Sequence, residues 1–160
     1  MNYINLSKLA ENYSENLGIN LKSVIIKDML HLDILKALSD YEISKQIAFQ
    51  GGTALRLCYQ GARYCEDLNF VLCNENLDFD KELFREFEEV FIKSIKNKYN
   101  LEIELIYPKN DENRVQKWIA KINLPIENRK ERINIEVCKI PSYDNEINNS
   151  DLNSSKFSGT

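Results

Sequence analysis

The stretch "FQGGTALRLCYQGARYCEDLNFVL", residues 49–72, decides the fold of this chain. It starts as an apolar strand, passes through Gly51-Gly52 into a helical run over 53–59, and ends in a second strand-like run that carries an acid. A glycine pair where a strand meets a helix lets a ligand approach the backbone, and the free N–H groups of the helix favour a phosphate there. The same pattern also describes a tight strand-to-helix turn in which Thr53 caps the helix.

The acid-bearing strand places two polar side chains on one face. Asp67 and Asn69 are two residues apart, so they point the same way about 7 Å from each other, while Leu68 points to the opposite face. Oxygen atoms in that arrangement suit a hard cation such as Mg²⁺. Glu136, which stands among alternating apolar residues in "RINIEV", is the candidate third ligand from a neighbouring strand. Because Asn69 is neutral, the two carboxylates balance one Mg²⁺ and not two, so we expect one protein-held metal, or a metal bound only together with nucleotide.

Hydrophobic periodicity predicts the remaining elements of the chain. Steps of three and four residues indicate helices over 5–17, 21–39 and 80–98, whereas alternation or short apolar runs indicate strands in "QIAF", "EDLNFVL", "LEIELIY", "VQKWIAKINL" and "RINIEVCKI". This order indicates an α+β domain over residues 1–143, with N-terminal helices within 5–39 and a mixed sheet carrying helices packed on one side. Residues 144–160 are rich in Asn and Ser and are interpreted as a loop or disordered tail.

Two of the predicted helices show a defined apolar face. The helix over 21–39 presents one stripe, and the helix over 80–98 presents a second stripe after an Asp80 cap. The first stripe consists of Val24, Ile25, Met29, Leu32, Leu35 and Leu38, and the second of Leu83, Phe87, Val90, Phe91 and Ile95.

The charge of the chain is unevenly distributed. The net charge is −4, which argues against nucleic-acid binding over the whole surface. Between Arg114 and Arg132, however, there are six basic residues and only two acids, Glu127 and Glu131, so this stretch is locally +4. The basic residues are Arg114, Lys117, Lys121, Arg129, Lys130 and Arg132. It is interpreted either as a solvated strand face or as a phosphate or RNA contact.

Cysteine spacing and apolar runs exclude other classes of site. The four cysteines (Cys58, Cys65, Cys73, Cys138) form no CxxC pair, and His31 is the single histidine, so we expect reduced thiols without a zinc site. No apolar run approaches the length of a membrane span, and the N-terminus lacks the apolar segment of a signal peptide. We therefore expect a cytoplasmic protein with no membrane partner.

Taken together, the glycine pair, the helix, Arg63 and the acid-bearing strand resemble the first motif of the nucleotidyltransferase toxins of the AbiEii/AbiGii abortive-infection type, in the polymerase-β-like nucleotidyltransferase superfamily. The family pattern has Lys-Gly-Gly-Thr-Ala-Leu and then Arg-Phe-Ser-Glu-Asp-Leu-Asp. "VIIKDMLHLDILKAL" is similar to the family's helix containing Lys-Asp, and "RINIEV" resembles the strand of the third acid. The first motif is matched at Gly51, Gly52, Thr53, Ala54, Leu55, Arg63, Glu66, Asp67 and Leu68.

The sequence departs from the family pattern at three positions of this motif. Gln50 replaces the lysine before the glycines, Cys65 replaces the serine, and Asn69 replaces the second aspartate. The family also usually continues into a helical C-terminal half, with a Lys-bearing helix and an Arg-Asp-hydrophobic-Asp-Leu stretch. Residues 1–160 contain no such stretch, so we expect a fragment of a longer protein or a degenerate relative.

The resemblance implies a nucleotidyltransferase-like fold and an Mg²⁺-dependent transfer of a nucleotidyl group from an NTP substrate to an acceptor. By its motif, Gly51, Gly52 and Thr53 would bind the β- and γ-phosphates. Asp67, with Asn69 as a weaker partner, would bind the metal, and Glu136 would act as metal ligand or base. Arg63 would either offset developing charge or brace the loop. These roles come from the family.

The resemblance also implies an acceptor and a partner. Family toxins are associated with modifying RNA, particularly the tRNA 3′ end, as part of a toxin–antitoxin or phage-defence system, so a cognate antitoxin is expected. The sequence alone does not choose between tRNA, protein and small-molecule acceptors. The alternative is a nucleotide-binding or inactive relative with the same fold and no turnover, in keeping with Asn69 and the missing C-terminal half.

Overall fold

The computed structural model describes residues 2–18, 21–62, 64–73, 81–108 and 114–139, and within the helix that begins at residue 81 it leaves the side chains of 81–84 and 87 undescribed. Helices and strands in these segments follow the predicted order, so the α+β class is confirmed. Their bounds are α1 (Leu6–Asn16), α2 (Lys22–Ser39), β1 (Ile47–Gln50), α3 (Gly51–Tyr59), β2 (Asp67–Leu72), α4 (Lys81–Tyr99), β3 (Ile103–Ile106), β4 (Val115–Leu124) and β5 (Arg129–Cys138).

The five strands form one mixed sheet in the order β1-β2-β5-β4-β3. Strands β2 and β5 are parallel, and the other neighbouring pairs are antiparallel. The parallel pair joins strands that are far apart in sequence, since Asp67 is aligned with Asn134. The topology therefore sets the acid-bearing strand directly beside the strand of the candidate third acid.

Alternation along the strands gives the sheet two different faces. Leu68 and Phe70 of β2, like Ile133 and Ile135 of β5, are buried in a single hydrophobic core that also includes residues of α1, α2 and α4. Trp118 of β4 is 1% exposed, and its indole N–H donates to the Glu88 carboxylate of α4. The residues between these positions lie on the other face, so the predicted packing of helices on one side is confirmed.

Helix α2 is buried on more than the one face predicted for it. Ile26, Leu30 and Ile34 are fully buried in addition to the predicted stripe, whereas Val24 and Leu32 of that stripe are only partly buried. The reason is that α1 and α4 both pack against α2, so this helix lies in the middle of the helical layer. A single-stripe interpretation suits a helix at the surface and is wrong for a central one.

The ends of the helices have local causes. The Asn5 side chain caps α1 by accepting from the Lys8 N–H at 3.0 Å, and Gly18, with φ of +66°, follows its end. In α4, the predicted stripe residues Val90, Phe91 and Ile95 are buried. The Asp80 cap, the side chains of Leu83 and Phe87, and the predicted tail over 144–160 lie outside the described residues.

Candidate functional site

We call the surface of the sheet opposite the α1, α2 and α4 layer the open face. In the parallel β2–β5 pair, Asn69 is aligned with Glu136 and Asp67 with Asn134, so all four side chains lie on this face. With strands about 4.8 Å apart and a two-residue offset, the Asp67 and Glu136 backbones lie about 8 Å apart across the diagonal. The structure thus brings together the three residues predicted as metal ligands, and it places Asn69 between the two acids.

Asp67 is held by a neighbour that the sequence analysis did not single out. The Asn134 side-chain amide donates to Asp67 Oδ1 at 2.8 Å, and its own Oδ1 accepts from Arg132 Nε at 3.1 Å. This chain of hydrogen bonds fixes the orientation of the Asp67 carboxylate. Asn134 stands two residues before Glu136, so the same alternation rule would have placed it on the open face.

Glu136 already has a cationic partner. Lys117 is aligned with it across the antiparallel β4–β5 pair, and the Lys117 Nζ lies 2.8 Å from a Glu136 carboxylate oxygen. The Lys117 side chain is 43% exposed and that of Glu136 26%, so this ion pair sits at the solvent boundary. The sequence shows Lys117 only as a member of the basic stretch, because alternation gives the face of a residue but not the register of its strand.

The glycine pair lies inside helix α3 and not in a loop before it. Gly51 and Gly52 form the first turn of α3, where backbone N–H groups have no partner within the helix. Gly51 has φ of +83°, and a Cβ there would lie 3.1 Å from Asn69 Nδ2. The turn therefore packs directly against the Asn69 side chain of β2.

The second glycine has a packing reason that the sequence did not reveal. A Cβ on Gly52 would lie 2.2 Å from Cys65 Sγ, which is far inside van der Waals contact. Room at this position is taken by the sulfur atom of Cys65, the residue that stands where the family has serine. The absence of a side chain at Gly52 is thus required by this chain's own packing.

Thr53 ties the helix to the acid-bearing strand. Its side chain is buried, and its hydroxyl donates to the backbone oxygen of Asp67 at 2.5 Å. The interpretation of Thr53 as the helix cap is wrong, because α3 begins at Gly51 with Gln50 at the N-cap position and no side-chain capping bond. Arg63, the remaining residue of the motif with a predicted role, lies outside the described residues.

A buried ion pair fixes α3 against the helical layer. Arg56 of α3 pairs with Asp28 of α2, and both side chains are almost fully buried. The Tyr64 ring lies 3.4 Å from Arg56 Cζ, so the loop that leads into β2 rests on the same guanidinium. The sequence does not reveal this pair, although Asp28 is the aspartate of the Lys-Asp in the family-like helix. Neither Asp28 nor Arg56 carries a sequence pattern that identifies the other as its partner.

The donor set fits one hard divalent cation. The carboxylates of Asp67 and Glu136 and the amide oxygen of Asn69 are ligands of the kind Mg²⁺ prefers. Within the described segments, there is no group of three or more His, Cys, Asp and Glu side chains able to hold a metal ion. Two carboxylates and one amide oxygen supply only part of the octahedral oxygen shell of Mg²⁺.

The cysteine thiols do not add to this donor set. All four are free and partly buried. Burial, and after it the neighbouring Glu136 carboxylate, raises the pKa of the Cys138 thiol on the open face, and burial likewise raises the pKa of Cys73. Thiols with a raised pKa remain protonated at neutral pH and are poor metal ligands.

Basic side chains continue along the open face beside the acids. Lys121 of β4 and Lys130 of β5 belong to the basic stretch and lie on this side of the sheet. Lys130 Nζ is 3.1 Å from Glu104, and this hydrogen bond, followed by the charge of Lys121, holds the pKa of Glu104 below its usual value. We call Lys121, Lys130 and Arg132 the positive strip, which lies on the same face of the sheet as the metal-ligand candidates.

Comparisons with known proteins agree with the fold and with the family that the motif indicates. Residues 33–155 match the family model described as nucleotidyl transferase AbiEii toxin, type IV TA system. Two Helicobacter pylori crystal structures are similar in fold, each 18% identical. One, assigned as a nucleotidyltransferase, has a TM-score of 0.55, and the match covers 76% of this chain and 48% of that one. The other, JHP933, has a TM-score of 0.51, and the match covers 78% of this chain and 49% of that one.

The chain therefore spans about half the length of these two structures. No curated protein matches the sequence significantly. Among the helices in the described part of the chain, none is both long and apolar enough to cross a membrane.

Proposed function

The chain belongs to the AbiEii nucleotidyl transferase toxin family of type IV toxin–antitoxin systems, and on that basis we propose that it moves a nucleotidyl group from an NTP to an acceptor hydroxyl. The observation that carries the proposal is the register of β2 with β5, which sets Glu136 beside Asn69, two residues along β2 from Asp67. The first turn of α3 abuts the same Asn69 side chain. The proposed phosphate-binding turn at Gly51 and the acids Asp67 and Glu136 thus all lie next to Asn69.

The glycine turn is the proposed phosphate site. Backbone N–H groups of Gly51, Gly52 and Thr53 have no acceptor within α3, and the positive end of the helix favours the β- and γ-phosphates. The Thr53 hydroxyl is already bonded to Asp67, so the contribution of Thr53 to phosphate binding comes from its N–H. Arg63 keeps its two proposed roles, as a counter-charge or as a brace of the loop.

The acidic pair is the proposed metal and catalytic site. Asp67 and Glu136, with Asn69 as the weaker partner, would hold one Mg²⁺, which when bound supplies charge neutralisation to the phosphates. Asn134 orients the Asp67 carboxylate through its 2.8 Å hydrogen bond. Glu136 acts either as a ligand or as the base that receives the acceptor's proton as the new O–P bond forms and pyrophosphate leaves.

RNA is the proposed acceptor, with the tRNA 3′ end as the first substrate to test. The positive strip on the open face, including Lys121 and Arg132, lies beside the acids where the backbone of an acceptor strand would approach. We further propose that the protein acts as the toxin of a phage-defence pair with a cognate antitoxin, in the cytoplasm.

Calorimetric titration of the chain with each of the four NTPs, with and without Mg²⁺, tests the nucleotide site. We expect metal-dependent binding that is lost in Asp67→Ala. Glu104→Gln is the matched control, because it removes an exposed carboxylate from the same face at the far edge of the sheet and should leave binding unchanged. Equal loss in both variants, or no NTP bound at millimolar concentration, would refute the proposed site.

A second function is favoured by the residue at 69. Asparagine stands where the family has the second aspartate, and a neutral ligand weakens a metal site, so the domain would bind nucleotide without turnover. Asn69→Asp should strengthen Mg²⁺ binding under both functions. Transfer of labelled nucleotide to tRNA by the wild-type chain supports the transferase. Transfer by neither protein, with nucleotide still bound, supports the binding domain.

A further inference from the structure

Glu136 is flanked by two open-face side chains of different charge. On β2 its aligned neighbour is Asn69, which is neutral, and on β4 it is Lys117, which is cationic. The Lys117 ammonium lies 2.8 Å from the Glu136 carboxylate, within charge-assisted hydrogen-bond distance. The carboxylate that would complete a metal site is therefore already satisfied by a cation of the chain itself.

The local charge follows directly from these contacts. Asp67 and Glu136 contribute two negative charges, and Lys117 removes one of them, so the site without ligand presents a net charge of −1 to an incoming divalent cation. A metal ion binding at Glu136 competes with the ammonium for the same carboxylate, since Lys117 Nζ lies 2.8 Å from one of its two oxygen atoms. The metal affinity of the free protein is thus lower than its two acids alone would give.

A nucleotide changes this competition. A triphosphate carries several negative charges, and a lysine ammonium offers three donors on a flexible stem. The Lys117 side chain is 43% exposed, so it can turn away from Glu136 without unpacking the core. Phosphate oxygens and the Glu136 carboxylate therefore compete for the Lys117 ammonium. When the ammonium moves to a phosphate, the carboxylate is free to bind the metal.

We propose that Lys117 is a positioning residue that makes metal binding at Glu136 conditional on nucleotide. Before nucleotide binds, its ammonium holds the Glu136 carboxylate; when a triphosphate arrives, the ammonium transfers to a phosphate and releases Glu136 to the metal. This inference rests on the proposed function, because it assumes a triphosphate at the α3 turn. It assigns to Lys117 a role separate from RNA contact.

The chain provides a matched control on the same strand. Lys121 lies on the same open face of β4, but it is aligned with Arg132 and Glu104 and not with Glu136. Four residues along a strand place it about 13 Å from Lys117, beyond contact with Glu136. Lys117→Met and Lys121→Met thus make the same charge change at the same surface, and only the first removes the ion pair.

The first measurement is the binding of Mn²⁺ alone, by electron paramagnetic resonance, to wild type and variants without nucleotide. We expect Lys117→Met to bind Mn²⁺ about three- to ten-fold more tightly, as expected for removing one nearby charge of like sign. Lys121→Met should stay within about two-fold of wild type. Lys117→Arg, which keeps the charge, should restore the wild-type affinity, and adding Glu136→Gln to Lys117→Met should abolish the gain.

The second measurement is calorimetric binding of Mg²⁺–NTP, using the NTP that wild type binds best. Lys117→Met removes the contact between the ammonium and a phosphate, so its affinity for Mg²⁺–NTP should fall several-fold while its affinity for Mn²⁺ alone rises. By linkage, the favourable effect of nucleotide on metal binding is then smaller in this variant than in wild type. A merely structural ion pair would change the melting temperature without opposite shifts in the two affinities.

Failure of this inference and failure of the proposed function give different results. If wild type binds Mg²⁺–NTP but Lys117→Met and Lys121→Met bind Mn²⁺ with wild-type affinity, the role of Lys117 is overturned and the proposed function stands. If no protein binds any NTP, the proposed function fails, and the conditional role of Lys117 is overturned with it.

Discussion

At the scale of single residues, the contact between Gly52 and Cys65 shapes the first turn of α3. Gly52 must lack a side chain because Cys65 Sγ occupies the space where a Cβ would stand. The same glycine is proposed to lend its N–H to a phosphate. Packing and ligand binding therefore both constrain one position, and their contributions are separable by mutation.

Gly52→Ala should lower the free energy of unfolding by about 1–3 kcal/mol, the usual cost of an overpacked position. The double variant Gly52→Ala/Cys65→Ala should recover most of this loss, since the Cβ atoms at 52 and 65 would lie 3.4 Å apart, an ordinary contact. Urea titration measures both, with Cys65→Ala as the reference. An unchanged stability in Gly52→Ala would show that the sulfur moves aside without cost.

The double variant also isolates the ligand effect. If it regains stability but still binds Mg²⁺–NTP more weakly than Cys65→Ala alone, the added methyl group obstructs the phosphate and not only the thiol. Equal nucleotide affinity in the two proteins would contradict the proposed role of the Gly52 backbone.

A buried histidine gives the fold a pH dependence. His31 of α2 is 0% exposed, and burial, followed by the nearby Lys27 ammonium, lowers its pKa from 6.5 to about 3. Between about pH 6.5 and pH 3, His31 is therefore protonated in the unfolded chain but neutral in the folded chain. Stability from neutral His31 is complete above pH 6.5 and is lost as pH falls toward 3.

Between pH 6.5 and 5 this loss should amount to about 2 kcal/mol, at roughly 1.4 kcal/mol per pH unit. His31→Leu, which keeps an apolar side chain of similar size in the core, should lack this component. Urea titrations of both proteins at pH 7.5 and 5.0 measure it, because carboxylates common to both cancel in the difference. Parallel stability losses in the two proteins would contradict the assignment to His31.

At the scale of elements, α3 is fastened at both of its ends. The Thr53 hydroxyl binds the backbone of β2, and Arg56 pairs with Asp28 of α2 in a buried ion pair. Since the proposed phosphate-binding turn is the first turn of α3, these two contacts position it relative to Asp67 of β2. The helix is short, so its stability depends on such contacts more than on its own propensity.

Asp28→Ala should cost about 3–5 kcal/mol, because it leaves the Arg56 charge buried without its partner. Asp28→Leu/Arg56→Met, which removes both charges, should cost markedly less. Chemical denaturation measures both variants, and Glu42→Ala, which breaks the exposed pair with Lys45, serves as the control with little expected change. A double variant as unstable as Asp28→Ala would mean that packing and not charge holds α3 in place.

At the scale of the whole molecule, the two faces of the sheet differ: one packs into the core, and the other carries the proposed ligand site. One face is apolar and forms the core with α1, α2 and α4, whereas the open face carries acids, amides and a positive strip. Substitutions on the open face should therefore change ligand binding with little effect on unfolding. The proposed contact with RNA belongs at this scale, since it extends over several strands.

If the positive strip contacts RNA phosphates, Lys121→Ala should weaken RNA binding for all sequences. Removing one lysine–phosphate ion pair should reduce the slope of log affinity against log salt by about 0.7 for single-stranded RNA. Fluorescence anisotropy across a salt series measures this slope. Lys93→Ala, an exposed change on α4 in the helical layer, is the control, and equal effects of the two variants would contradict a specific basic surface.

Much of the fold was predictable because its signals are local. The strand periodicities in "VQKWIAKINL" and "QIAF" depend on neighbouring residues, so these strands and their faces follow from the sequence within a few residues. The motif at Gly51-Gly52 and Asp67 likewise identified the family from one short stretch. The burial of α2 on several sides was not predictable, since it depends on which helices flank it.

The sequence by itself determined the elements, the face on which Asp67, Asn69 and Glu136 lie, and the family. Only the tertiary structure decided the parallel pairing of β2 with β5, the pairing of Lys117 with Glu136, and the contact of Cys65 with Gly52. The reason is that side-chain alternation repeats every two residues along any strand and is blind to partner and register. Those are set by which arrangement of distant segments buries the apolar face of the sheet under α1, α2 and α4.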